Sequence, residues 1–186
     1  IVPDLAESWE VSADGTVYTF TLVPGAVFHD GRPVTAEDVK YSIERAADPA
    51  TGSPVVDTYL GDIVGVREKL AGEVEEVFGV QVLDERTVEI TIEQPRIDFL
   101  AKLTYPTAFV VDRFAVETGP GWWLGNANGT GPFKLVVYEP GFGMLLTRNE
   151  LYYRTPAYVD EVVFDLRGGS WLSRYEADVI DFVPSI

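Results

Sequence analysis

The sequence predicts a mixed α/β chain of the α+β kind, with mixed and antiparallel sheets flanked by helices. Three observations lead there. Two stretches alternate apolar and polar residues on either side of short turns. One stretch repeats its apolar residues at helical spacing behind a chemically over-specified start. Strands and helices also follow one another without the strict alternation of βαβ units.

The first strands come from Trp9 and Val11, then the turn Ala13-Asp14-Gly15, then Tyr18, Phe20 and Leu22 on one face with Thr19 and Thr21 on the other. This is hairpin patterning. Next, Asp30-Gly31 offers a residue that tolerates a left-handed backbone, and Pro33 fixes the approach to a helix. Thr35 can cap that helix, and Asp38 can reach back to it as a variant of the capping box. Glu37 and Asp38 lie at the positive end of the helix dipole, and Val39, Ile43 and Ala46 or Ala47 recur on one face. The helix covers 35–47 and stops at Asp48-Pro49, because proline disfavours helix in the residue before it.

Residues 50–58 read as loop, and 59–70 as a short helix with irregular flanks. A second hairpin follows: Phe78, Val80 and Val82 alternate, Asp84-Glu85-Arg86 turns, and Val88, Ile90 and Ile92 alternate again above a wet face of Glu89, Thr91 and Glu93. Short helices are expected at Phe99, Leu100 and Leu103 and over 112–118, ended by Gly119-Pro120-Gly121. Glycines and a proline interrupt the pattern over 126–132. Beyond them come strands at 133–138, 144–147 and 159–166, a helix at 171–176 and a final strand at 179–183.

At 186 residues the chain suffices for one good-sized domain or two small ones, and 46% hydrophobic residues rule out a disordered composition. Fourteen basic against 30 acidic residues leave a net charge of −16, which argues against a nucleic-acid partner. Without cysteine there is no disulfide and no thiolate metal site. No stretch approaches the length of a membrane span.

Chemistry-bearing residues are few. His29 is the lone histidine; a zinc site needs three or four convergent ligands and a catalytic histidine needs a positioned partner, so a structural role is the better reading. Gly129-Thr130-Gly131 resembles a phosphate loop, but Lys134 stands where a third glycine belongs and a strand follows, so a hinge or close backbone approach is preferred. Glu73, Glu75 and Glu76 lack the pattern of a calcium loop and read as solvated surface. Trp122 and Trp123 are read chiefly as packing residues, with contact to a ligand as the second reading. No serine has a nucleophile-elbow context, no cofactor is indicated, and the chain reads as a non-enzyme.

Several of these segments together resemble the family 5 extracytoplasmic solute-binding proteins of ABC importers. The carriers are Leu5-Ala6-Glu7-Ser8-Trp9, Tyr18-Thr19-Phe20-Thr21-Leu22, the run from Phe28 through Arg45, Asn128-Gly129-Thr130-Gly131-Pro132-Phe133-Lys134-Leu135, Arg148-Asn149 with Tyr152-Tyr153, and Tyr175 through Phe182. Val23 stands where an arginine is usual, Tyr153 where a tryptophan is usual, and Glu176-Ala177-Asp178 lacks the usual glycine.

The resemblance implies a piece of a two-lobed, class II binding-protein fold. Residues 1–126 would be the small subdomain of the first lobe and 127–186 part of its main sheet. The signal, the first strand and the second lobe would lie outside the sequence. It implies capture of a peptide or other small solute outside the cytoplasmic membrane and delivery to an ABC permease. The membrane would be met only through an anchor or that permease. Tyr59, Trp122, Trp123, Phe182, Pro184 and Ser185 are the candidate ligand contacts, and Gly129, Thr130 and Gly131 the candidate hinge. A ligand-sensing domain of a cytoplasmic transcriptional regulator, or a hydrolase, are the alternatives.

Overall fold

A computed structural model describes residues 1–183. Two antiparallel sheets organise it. The first has the order β1-β2-β4-β3, from β1 (Ala6–Val11), β2 (Val17–Leu22), β3 (Val80–Asp84) and β4 (Thr87–Thr91). The two predicted hairpins therefore zip together along β2 and β4. Tyr18 lies opposite Ile90 and Phe20 opposite Val88, so both apolar faces look the same way.

That shared face is covered by α1 (Ala36–Ala47), whose Ala36, Ile43, Ala46 and Ala47 are buried against Tyr18, Phe20, Val80, Val88 and Ile90. Each large apolar side chain so buried contributes on the order of 2 kcal/mol. The helix begins as its sequence dictates. Asp38 accepts hydrogen bonds from the Thr35 amide at 2.9 Å and the Thr35 hydroxyl at 3.0 Å, and Gly31 takes a φ of 92° in the turn before it.

The stretch read as loop and irregular helix is more ordered than expected. A 3-10 turn at Pro49–Thr51 leads to α2 (Val56–Leu60) and α3 (Val66–Leu70). Between them Ile63 bridges to Ile92, and Val56, Leu60, Ile63 and Val66 are all buried. Burial across this turn holds two helices that are each too short to persist alone. Phe78 is a correction: Val77 is buried instead, and Phe78 is 56% exposed. The cause is Gly79, which bonds Val64 and Thr91 through its backbone; a Cβ there would lie 2.7 Å from both carbonyl oxygens. That tight approach ends the alternation one residue early.

Short helices α4 (Phe99–Lys102) and α5 (Arg113–Val116) follow, then a 3-10 turn between them and α6 (Trp122–Asn126) after them. The tryptophans thus begin a helical turn. The second sheet is β5 (Phe133–Glu139), β6 (Gly143–Arg148) and β7 (Glu161–Asp165), each strand antiparallel to the next. The helix α7 (Trp171–Glu176) is capped by Ser170.

The strand expected at 179–183 is absent over those described residues. Strand structure is a ladder of inter-strand hydrogen bonds, and this segment pairs with neither sheet. A smaller core of Ala26, Phe28 and Val34 sits apart from the main one. Leu5, Val23, Val110 and Tyr153 pack on it, so the two sequence departures Val23 and Tyr153 meet around one cluster.

A buried polar junction as the candidate functional site

The segment 128–134 follows α6 and enters β5. It is where the first sheet's loops grip the second sheet. On the first side stands the turn 28–34. Phe28, fully buried, anchors it, and the Arg32 guanidinium lies 4.3 Å from the Phe28 ring centroid. Arg32 then donates to Asp38 from both terminal nitrogens, at 2.9 and 3.1 Å, and to Asp112 at 2.6 Å. Asp38 and Asp112 are buried, so these pairs are little screened by water.

Asp112 accepts from four groups. Besides Arg32 it caps α5 by accepting from the Phe114 and Ala115 amides, and it accepts from the Asn128 side-chain amide at 2.8 Å. Burial alone would raise its carboxyl pKa. The Asn128 bond and the Arg32 cation outweigh that and hold it below the ordinary carboxylate range. Asn128 in turn accepts from the Asp30 amide at 3.1 Å.

His29 lies beside this network. Its amide donates to the Gly129 carbonyl at 2.8 Å, and its own carbonyl accepts from the Lys134 ammonium at 2.6 Å. The ring makes contacts on both nitrogens. The Gly129 amide donates to Nδ1 at 3.3 Å, and Nε2 lies 3.1 Å from the Gly131 carbonyl. The Gly131 carbonyl also accepts from the Asn149 side chain at 2.9 Å, and Asn149 is fully buried. One constellation thus ties together the turn, α1, α5, the glycine-rich segment and the end of β6.

The predicted hinge residues fall inside this constellation: Gly129 and Gly131 are half-buried and bonded to His29, and Thr130 lies half-buried between them. Neither glycine has a positive φ, and a Cβ at Gly129 would meet only the His29 ring, with Cε1 at 3.5 Å and Nε2 at 4.0 Å, ordinary contacts. What this stretch uses is its backbone hydrogen-bonding groups.

The predicted ligand contacts are scattered. Tyr59 stacks on Tyr105 with ring centroids 3.7 Å apart and planes 7° apart. Trp122 is half-buried; Trp123 is exposed and tilts against Tyr138 at 5.7 Å. Phe182 is 74% exposed. Pro184 and Ser185 lie outside the described residues. Two surface depressions are lined by other side chains. One, of about 420 Å³, lies among Arg32, Lys40, Glu44, Glu76, Arg113 and Phe114. The second, of about 180 Å³, lies between α1 and the Pro106–Ala108 turn. Several charges around the first are paired with one another, Lys40 to Glu76 and Arg32 to Asp38.

Among the described residues no group of three acidic or histidine side chains is arranged to hold a metal. The acidic run Glu73, Glu75 and Glu76 is exposed, as its solvated reading requires, and Glu76 pairs with Lys40 at 2.8 Å. The sequence reading missed Arg32, Asp112 and Asn149 as partners. Charged and amide side chains flanking turns were the available signal, but only folding shows which of them are buried.

Comparison with known proteins is consistent across sequence and structure. Residues 1–184 match the family described as "Bacterial extracellular solute-binding proteins, family 5 Middle". A periplasmic oligopeptide-binding protein of Salmonella typhimurium is 37% identical over 156 residues, which is 81% of this chain and 28% of that protein. A dipeptide-binding protein of Bacillus subtilis is 32% identical over 81% of this chain and 28% of its own length. Among solved structures, a periplasmic oligopeptide-binding protein of Borrelia burgdorferi superposes with a TM-score of 0.90 at 34% identity, over 96% of this chain and 37% of that one. The murein tripeptide binding protein of Escherichia coli gives 0.88 at 30% identity, over 95% and 36%. The chain therefore spans about a third of the length of the proteins it matches.

Proposed function

Because the chain belongs to the family 5 bacterial extracellular solute-binding proteins, we propose that it is part of a protein that captures peptides outside the cytoplasmic membrane and hands them to an ABC permease. The observation that carries this reading is agreement over nearly the whole chain with peptide-binding proteins, at a TM-score of 0.90 and 34% identity in one case. The relatives named for peptides are periplasmic in Salmonella, and a Listeria monocytogenes relative is solved bound to peptide. Binding of this kind makes and breaks no covalent bond, and the protein acts as a carrier rather than an enzyme.

In this reading residues 1–126 form the small subdomain of one lobe, and 127–186 belong to that lobe's main sheet. The separation of the two antiparallel sheets on either side of segment 128–134 supports the division. Closure of two lobes about a hinge would enclose the ligand. Tyr59, Trp122, Trp123, Phe182, Pro184 and Ser185 remain the proposed contacts; aromatic rings give broad apolar area at small entropic cost.

The test is calorimetric titration of the protein encoded by the full reading frame that contains this chain, with a pool of di- to nonapeptides. Saturable heat that vanishes when peptides are replaced by free amino acids is the expected result. Heat only with sugars or metal chelates, and none with any peptide, would overturn the peptide assignment.

A further inference from the structure

The contacts of His29 carry a consequence separate from ligand capture. A carbonyl oxygen can only accept, so Nε2, 3.1 Å from Gly131 O, carries the proton. An amide N–H can only donate, so Nδ1, 3.3 Å from Gly129 N, presents its lone pair. The two contacts together select one neutral tautomer. A second proton at Nδ1 would set two N–H groups against each other and break the Gly129 bond.

We propose that His29 is an acid-sensitive latch: neutral, its ring clips the turn 28–34 to Gly129 and Gly131; protonated, it lets go of the Gly129 amide and loosens the seating of β5, β6 and β7 on the rest of the molecule.

The groups facing the ring come from three places. Burial disfavours the imidazolium most, and the Lys134 ammonium at the start of β5 adds to that. The carbonyls of Gly131 and Ala127 in the segment before β5, and the Asp30 carboxylate in the turn, favour it. The balance places the imidazole pKa below its ordinary value. Asp30 is weakened as a counter-ion because it is exposed and its carboxylate already accepts from the Arg32 amide at 2.9 Å. The sign follows. A group whose folded pKa is lowered and which is charged by protonation binds more protons when unfolded. Its stabilisation is whole above the unfolded value, near 6.5, and is lost as pH falls through the folded value. In that window the carboxylate of Asp112 stays ionised and keeps its bond to Arg32.

His29 is the only histidine among the 186 residues, so imidazole NMR signals report it alone. Long-range proton–nitrogen spectra at about pH 7.5 should show the Nε2–H tautomer, and the titration midpoint should fall below about 6.5. Amide exchange at Gly129, corrected for its intrinsic pH dependence, should lose protection severalfold between about pH 7.5 and about pH 5. In His29→Gln, which keeps a donor for Gly131 but cannot titrate, that loss should disappear. An Nδ1–H tautomer, a midpoint at or above the ordinary value, or an equal loss of protection in His29→Gln would each overturn the latch. If the variant does not fold, the wild-type tautomer, midpoint and exchange decide alone. Peptide binding enters none of these readouts, so failure of the latch and failure of the carrier reading are separable.

Discussion

Removing the carboxylate of Asp112 tests how much of this fold rests on the polar junction. Asp112→Ala deletes the acceptor of Arg32, of the Asn128 amide and of two helix-start amides at once. A lost N-cap costs about 1 kcal/mol. A charge-assisted bond is worth about 1.5–3 kcal/mol, and a buried amide left without its partner costs about 1–3 kcal/mol. The terms share groups and do not add. Arg32 also keeps Asp38 at 2.9 Å and is a quarter exposed, which limits the damage. A net loss of about 3–4 kcal/mol results, within the range for breaking a buried pair. Urea unfolding followed by tryptophan fluorescence measures it as a fall in the midpoint with the slope unchanged. Asp112→Asn, which can still cap α5 and accept from Asn128, should lose only about 1–2 kcal/mol. A loss below about 1 kcal/mol for Asp112→Ala, with the slope preserved, would refute the view that the junction is a structural keystone.

Acid should act through the same residue: its lowered pKa contributes stability that is whole above the unfolded carboxylate value near 3.9 and drains as pH falls below it, so the gap between wild type and Asp112→Asn should narrow from pH 6 to pH 3 in urea melts. Phe28→Ala should cost about 3–5 kcal/mol, because a fully buried ring is lost together with its cation–π contact to Arg32; a change under 1 kcal/mol in thermal or urea melts would show that the small core collapses freely. Gly129→Ala should stay within about 0.5 kcal/mol of wild type, whereas Gly79→Ala, facing two carbonyl oxygens at 2.7 Å, should cost more than about 2 kcal/mol. Equal effects of the two substitutions would contradict the backbone geometry assigned to segment 128–134.

The local chemistry of this chain was legible from its residues. Thr35, Asp38 and Asp48-Pro49 bound one helix because capping and proline geometry act over a few residues. Tyr18, Phe20, Val88 and Ile90 declared their faces by alternation, and the two hairpins formed where that pattern put them. Where a long-range contact competed, the local pattern did not decide: Gly79 and Val64 turned Phe78 outward, and Ile63 ordered a stretch whose local pattern is irregular. The segment 179–183 is rich enough in apolar and β-branched residues for a strand, yet strand structure needs a partner to pair with, and pairing is not a property of the segment. The junction shows the division most clearly. Sequence marked His29, Gly129 and Gly131 as unusual residues near turns. Tertiary structure alone brought residues about a hundred positions apart within hydrogen-bond reach and buried Asp112 and Asn149 among them. The physical reason is that capping, turn preference and amphipathic period are written in neighbouring residues, whereas the partner of a buried charge is chosen by the packing that excludes water from it.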